Sequence, residues 1–293
     1  MYKCFLCEYE GNMKIKSSVE GREIVRCPKC ELEFIYNQPS SEEIKNIYSR
    51  EYYKAMGLES GEVIDVALMK KSTFLDILKK ILPYKNSGNI LDVGTATGFL
   101  LEVAKKLGFE PYGIELSEYS SSIAKKKFGE DRIYNGILEE NPFEENFFDI
   151  ITMCDYFEHV ENPINILNIS HKLLKNTINS NGRGGGYIIM SVPTTNTFTH
   201  NIMGKYWSQY KLEHLFYYSK KNIEIMAKKT GFEVIYFKPH LKTLTLKYIR
   251  DVFRVYRLFP ITQSLNLINR IPIINKLKFK ITIGESLIIL KKI

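Results

Sequence analysis

No apolar run in the 293 residues approaches the roughly 18–20 needed to cross a bilayer, so a spanning helix is not expected. The opening MYKCFLCEYEG has no long apolar stretch and no small-residue cleavage site, so it does not read as a secretory leader. A cytoplasmic protein is the expectation. Cysteine is scarce, five in all, and in a reducing compartment those five are metal ligands or core residues rather than disulfides. Neither sign of charge dominates: 41 Lys and Arg face 33 Asp and Glu, a formal +8 at pH 7. That excess leans toward an anionic partner, such as a phosphorylated or uronic-acid substrate, anionic lipid or nucleic acid. A solvated, lysine-rich surface is the plainer account. With 44% hydrophobic residues, the chain can build one large domain and a small one.

The few cysteines are not scattered. Cys4, Cys7, Cys27 and Cys30 form the pattern C-x2-C-x19-C-x2-C. Two such knuckles place four thiolates around one tetrahedral Zn²⁺ at about 2.3 Å. The stretch between them, EYEGNMKIKSSVEGREIVR, reads as a short hairpin. So short a segment cannot bury a useful core, and the metal supplies its folding energy. Four protein ligands leave no open position, so this zinc is structural.

Three regions are expected: a zinc ribbon over 1–38, a helical linker or lid over 39–85, and an α/β domain over 86–293. SEEIKNIYSREYYKA reads as a helix capped by Ser41, and a second helix runs from about Val63 to Leu82, closed by Pro83. From NILDVG onward, strands alternate with helices of about 10–15 residues, the pattern of a parallel sheet that binds its ligand at the carboxyl ends of its strands. An insertion over about 243–280 precedes the last strand, ESLIILKKI. In it Lys247, Arg250, Arg254 and Arg257 line one helical face, a stripe suited to anionic lipid or a phosphorylated substrate if it is not simply solvated.

The loop LDVGTATGF departs from the dinucleotide fingerprint G-x-G-x-x-G. Gly94 and Gly98 are present, but Ala96 and Phe99 stand at other expected glycine positions. Asp92 beside a pyrophosphate would repel it. It suits a ligand with a cationic end and no phosphate, and S-adenosylmethionine is such a ligand. Glu115 ends the next strand, where a carboxylate can take both ribose hydroxyls.

These residues resemble the class I S-adenosylmethionine-dependent methyltransferases. LDVGTATG matches the glycine loop, GIELS the ribose acid, FDIITMCDYFEHVENP the fourth strand and its exit, and WSQYKLEHLFYYS with AKKTGFEV the later segments. The order resembles a bacterial subgroup in which a zinc ribbon precedes the methyltransferase domain. The resemblance implies an α/β, Rossmann-like sheet of seven strands in the order 3-2-1-4-5-7-6, the seventh antiparallel. It implies a donor site made of Asp92, Gly94, Thr95, Ala96, Gly98, Glu115, Leu116, Leu138 and Asp155. Ala96 replaces the usual middle glycine. Ile137 and Leu138 stand where many relatives carry an acid for the adenine amine, so adenine would be held by apolar contact and a backbone N–H.

The acceptor is narrowed by what the fourth strand lacks. It ends in CDYFEH rather than an Asn/Asp-Pro-Pro-aromatic motif, which disfavours exocyclic amino acceptors. Cys154 has no proline before it and reads as a core residue. Removing a proton from a hydroxyl or acidic carbon calls for a base, and histidine has the right pKa. His214 is the first candidate, in a segment with Trp207, Tyr210, Tyr217 and Tyr218 expected to cap the donor pocket. Glu213 could be the base itself or orient His214. His159, with Glu158, lies at the exit of the fourth strand, where both could equally organise the turn before a helix capped by Asn162 with Pro163 first. Tyr52 and Tyr53 could close over the donor or belong to the core. The leading expectation is O- or C-methylation of a small molecule, sugar or glycan. RNA methylation with the ribbon as grip ranks second, because residues 1–36 carry six Lys/Arg and six acids, a neutral module. A catalytically inactive scaffold ranks last.

Overall fold

The alternating strand and helix patterns produce one seven-stranded sheet in the computed structural model, which describes residues 1–40, 42–43, 63–176, 185–245 and 278–293. The chain first forms β1 (Tyr2–Lys3), β2 (Glu10–Gly11), β3 (Lys14–Val19), β4 (Arg22–Arg26) and β5 (Glu33–Ile35). After α1 (Val63–Leu78), β6 (Gly88–Val93), α2 (Phe99–Lys106), β7 (Phe109–Glu115), α3 (Glu118–Phe128) and β8 (Ile133–Asn135) alternate. Then come β9 (Ile150–Cys154), α4 (Pro163–Leu173), β10 (Tyr187–Pro193), α5 (Phe198–Met203), β11 (Phe216–Tyr217), α6 (Lys220–Lys229) and β12 (Phe232–Pro239). A hairpin, β13 (Lys242–Thr245) with β14 (Lys278–Ile281), precedes β15 (Glu285–Lys292).

The large sheet runs β8-β7-β6-β9-β10-β15-β12, with β15 antiparallel to both neighbours, which is the expected order of strands. Every residue of β10 is buried, as a central strand covered on both faces requires. Helix starts follow local chemistry. Ser117, Asn162 and Ser219 each cap a helix by accepting a hydrogen bond from a backbone N–H three residues on, and Pro163 occupies the first turn of α4. α1 ends at Leu78, earlier than the expected Leu82, because the chain tightens to i→i−3 hydrogen bonds at Lys80 and Ile81 ahead of Pro83.

The N-terminal module is the expected hairpin (β3 with β4) plus β5, and β11 joins its edge to make a four-stranded sheet, β11-β5-β4-β3. The ends of the expected insertion are strands rather than helix. Their hairpin packs on α1, where Thr243 N–H donates to Thr73 Oγ1 at 3.0 Å and Thr245 N–H to Met69 Sδ at 3.1 Å. The helix expected at Ser41, Tyr52 and Tyr53, and the stripe Lys247, Arg250, Arg254 and Arg257, lie outside the described residues. Among the described residues no helix is long and apolar enough to cross a membrane.

At the amino ends of β6 and β9, remote from the glycine loop, buried Asp149 joins three segments. It accepts from Asn89 N–H at 2.8 Å and pairs with Lys85 and Lys175, each at 2.7 Å. Burial opposes its ionisation, but Lys175 and Lys85 outweigh that and hold its carboxyl below the usual range. Asp149→Ala strands two cations and a backbone donor. Because both lysines stay partly solvated, it is expected to cost about 1–2 kcal/mol in a chemical denaturation series, with little effect on donor affinity.

Candidate active site

At the carboxyl ends of β6 and β7 the loop 94–98 turns tightly. Gly94 (φ 79°) and Gly98 (φ 85°) are left-handed, and a Cβ there would stand 3.1 Å from Tyr156 Cδ2 and 2.6 Å from Phe128 Cε2. Ala96 is left-handed too, at φ 48°, a conformation that costs a non-glycine residue about 1–2 kcal/mol. Its N–H is tied to Glu115 Oε2 at 2.8 Å, and Ser117 N–H donates to Glu115 Oε1 at 2.8 Å. The two amides aim the Glu115 carboxylate, whose oxygens can each accept more than one hydrogen bond. Asp92 Oδ1 accepts from Thr152 Oγ1 at 2.6 Å. Burial pushes the Asp92 carboxyl up to about 7, Glu115 adding to the rise while Thr152 and Thr95 oppose it.

This set fits S-adenosylmethionine. Two buried carboxylates face a loop that has no room for side chains at Gly94 and Gly98, and Thr97 Oγ1 is buried without a partner among the described residues. Leu116 is half-exposed beside Glu115. Leu138 turns its side chain into the core, so only its backbone can face the adenine end, while neighbouring Ile137 is exposed. Tyr156, unmarked in the sequence reading, leans over Gly94. Burial, with Glu139 and Glu115 nearby, holds its phenol protonated.

Beyond β9 lies a second cluster. Asp155 adopts φ 53° and is held there by its N–H to Ser191 O at 3.2 Å, by Ser191 Oγ at 3.0 Å and by Lys242 Nζ at 2.9 Å. Lys242 also reaches Glu285 Oε1 at 2.8 Å. Burial opposes both charges of the Asp155–Lys242 pair, but the pairing wins: the carboxyl lies below its usual range and the ammonium above its own. Burial lifts Glu285 to about 7 despite Lys242.

Glu158, His159 and His214 sit alongside, each offering a ligand atom within 4.8 Å of the others. The two imidazoles stand edge to face, 4.9 Å between centroids. His159 Nδ1 bonds to the backbone carbonyl of Glu213 at 2.7 Å, so that nitrogen carries the proton in the neutral ring. Glu213 thus meets His159 through its main-chain carbonyl, and its charge also acts on that imidazole. Among the described residues His214 Nδ1 and Glu158 Oε2 are buried without hydrogen-bond partners. Burial keeps both histidines neutral, His159 and Lys211 adding to the effect at His214, and burial raises Glu158 well above the usual carboxyl range. Such a group can take a proton from an acceptor, or hold a cation.

The cap is corrected in one respect. Trp207 and Tyr217 do not close over the donor; they form a core with Ile24 and Ile35 of the N-terminal module, and Tyr210 packs against it. Tyr218 turns the other way, onto Phe157 at 5.4 Å. Cys154 packs at the sheet, and burial near Asp92 and Asp155 holds its thiol protonated. Glu33, Lys242 and Glu285 carried no local motif and were not anticipated.

The four N-terminal cysteines converge. Cys4 and Cys30 sulfurs are 3.5 Å apart, as are those of Cys7 and Cys27, and all four lie within 4.8 Å of one another. A tetrahedral zinc with thiolates at about 2.3 Å needs sulfurs roughly 3.8 Å apart, so the donor set fits. The knuckles are alike: Glu8 and Glu31, each following a second cysteine, are left-handed, and their N–H groups donate to Cys4 O and Cys27 O.

A family model described as methyltransferase domain matches residues 69–236, more than half of the chain. The mitochondrial ubiquinone biosynthesis O-methyltransferase of Schizosaccharomyces pombe is 32% identical over 108 residues, 34% of this chain and 39% of that protein. The ubiquinone biosynthesis O-methyltransferase of Pseudomonas paraeruginosa is 29% identical over 123 residues, 36% of this chain and 53% of that one. The chain thus spans about half or less of the length of these curated relatives. In fold, it is similar to a SAM-dependent methyltransferase and possible histamine N-methyltransferase from Thermotoga maritima. That match has a TM-score of 0.51 and 18% identity and covers 85% of this chain and 97% of the other.

Two predictions follow from the donor side. Asp92 titrates near 7 when folded and 3.8 when not, so the ligand-free protein loses stability as pH rises between these values. A cationic ligand needs the ionised form. Calorimetric affinity for S-adenosylmethionine should therefore rise roughly tenfold from about pH 5.5 to about pH 7, and Asp92→Asn should flatten that rise. At the turn, Ala96→Gly should keep donor affinity, whereas the β-branched Ala96→Val, forced to positive φ, should lose roughly tenfold or more.

Proposed function

We propose that this chain, which belongs to the methyltransferase domain family and is an S-adenosylmethionine-dependent methyltransferase, methylates an oxygen of a small hydroxylated acceptor. The observation that carries the reading is the buried pair His159 and His214, both neutral, with His214 Nδ1 lacking a partner among the described residues. S-adenosylmethionine, when bound, supplies a methyl carbon activated by the adjacent sulfonium. Asp92 and Glu115 hold its cationic and ribose ends, the glycine loop lets the backbone approach, and Tyr156 covers Gly94. The backbone of Leu138 and the side chain of Ile137 border the adenine.

On the acceptor side, His214 takes the hydroxyl proton as the oxygen becomes the nucleophile. His159, oriented by the carbonyl of Glu213, stands beside it edge to face. Asp155, held by Lys242 and Ser191, shapes the wall between donor and acceptor. The names of the aligned relatives, both O-methyltransferases, support oxygen over carbon. A phenol or a sugar hydroxyl meets the same requirement, a single acidic proton within reach of a neutral imidazole. RNA is disfavoured, because the neutral N-terminal module commits one sheet edge to β11 of the same chain. The module is read as holding a structural Zn²⁺ on Cys4, Cys7, Cys27 and Cys30.

Transfer of labelled methyl groups into a panel of dihydroxylated aromatics and sugar nucleotides tests this. His214→Ala should lower turnover about 10²–10⁴-fold with donor affinity unchanged. Turnover that survives this substitution removes His214 as base, and a ribonuclease-sensitive product would replace the small-molecule reading.

A further inference from the structure

The N-terminal module is built into the acceptor side of the protein. Its β5 pairs antiparallel with β11, Phe34 opposite Phe216 and Glu33 opposite Tyr217, and Ile35 N–H donates to Leu215 O at 3.0 Å. Leu215 immediately follows His214, and Leu215 N–H in turn donates to Glu158 O at 2.8 Å. The turn carrying His214 is therefore gripped from both sides, by the ribbon and by the exit of β9.

Two contacts, one to each cysteine knuckle, tie the ribbon to α6. Asn222, fully buried, donates from Nδ2 to Cys30 O at 2.7 Å, and Lys229 Nζ donates to Leu6 O at 3.0 Å. Both acceptors are backbone carbonyls of knuckle residues, which point correctly only while the knuckles are closed.

Glu33 is the centre of this joint. Its side chain is wholly buried, and Oε2 accepts from Tyr210 Oη at 2.6 Å and lies 3.2 Å from His200 Nε2. Its other oxygen lies 3.5 Å from Arg26 and 3.8 Å from Lys16. A carboxylate buried at such cost, with partners drawn from both modules, fixes their relative placement. Tyr210 and His200 belong to the segment that ends in His214.

We propose that the ribbon is a positioning device for the acceptor side, with Glu33 the positioning residue that transmits its closed state to the His214 turn. The donor site at β6 and β7 lies on strands that share a hydrophobic core with the ribbon but make no sheet pairing with it. Metal loss or loss of the Glu33 contact therefore loosens 209–218 and leaves the glycine loop intact. This inference rests on the reading of His214 as an acceptor-side group, but its readouts need no acceptor.

The test uses the full chain, with its zinc and after removal of zinc by a chelator. Amide exchange by mass spectrometry reads residues 209–218, and calorimetry with S-adenosylhomocysteine reads the donor site. Metal removal is expected to speed exchange over 209–218 by at least about tenfold while donor affinity stays within about threefold. In Glu33→Gln, with one zinc per chain retained, the imidazole NMR signals of His159 and His214 are expected to shift. Tyr210→Phe removes the same hydrogen bond without altering the ribbon and should shift them likewise. Unchanged exchange after metal loss overturns the proposal, as do unmoved imidazole signals in both variants. A parallel fall in donor affinity also overturns it, since the ribbon would then support the whole domain. If His214→Ala instead left turnover intact, the base assignment would fall while these coupling readouts stood.

Discussion

A cationic ligand must be met by carboxylates that water does not screen, and the fold is arranged around that demand. Asp92 and Glu115 close two adjacent parallel strands, both nearly inaccessible to solvent. Leaving one carboxylate buried is costly enough that Asp92 gives up part of its charge, its carboxyl moving up to about 7. The cost is recovered when a fixed positive charge arrives. Glu115 accepts from two backbone amides that already point at it. The same turn that brings those amides in requires glycine at two positions and holds a small residue, Ala96, in left-handed backbone at the third. Ligand chemistry, loop composition and strand order are thus one constraint seen at three levels.

The acceptor side solves a different problem, holding polar groups together where no ligand charge stabilises them. Half-exposed Asp155, Lys242 and buried Glu285 form a chain of alternating sign, and Glu33 gathers donors from the ribbon and the cap. Breaking a buried charged network strands its remaining members, so such networks specify geometry more than they add stability. Here both networks border the segment that carries His214. The aromatic side chains of that segment fill the seam between ribbon and domain, which leaves the short turn at 213–215 with little freedom of its own.

Much of the architecture was legible in local sequence. Caps at Ser117, Asn162 and Ser219, runs such as YIIMSVP, and the spacing of Asp92 and Glu115 each carry their physics within a few residues. The paired C-x2-C knuckles do the same. What escaped was long-range. Glu33 meets His200 and Tyr210 across 167 and 177 residues, and Lys242 meets Asp155 across 87. Nothing near Glu33 in the sequence distinguishes it from the exposed acids around it. Trp207, Tyr210 and Tyr217 were expected to cap the donor pocket, whereas they pack on the ribbon, because which surface they meet depends on where β5 docks. The insertion beginning near residue 243 read as helical, whereas its described ends pair as a hairpin, because Thr73 and Met69 of α1 offer their backbone donors acceptors.

Two strained residues show how the sides communicate through the sheet. Ala96 and Asp155 both adopt left-handed backbone, one after β6 and the other after β9. Together they cost a few kcal/mol, a large share of the roughly 5–15 kcal/mol that keeps a domain folded. Each is retained by a specific partner: Glu115 for Ala96, and Lys242 with Ser191 for Asp155. β6 and β9 are neighbours, and Asp92 of the one lies opposite Thr152 of the other, whose hydroxyl it accepts. The strained positions therefore follow adjacent strands tied by a buried side-chain hydrogen bond. Backbone strain of this kind persists where surrounding contacts over-determine it. In this protein those contacts are Glu115 at one strand end and Lys242 with Ser191 at the other, so polar side chains drawn from other segments hold both strand ends in place.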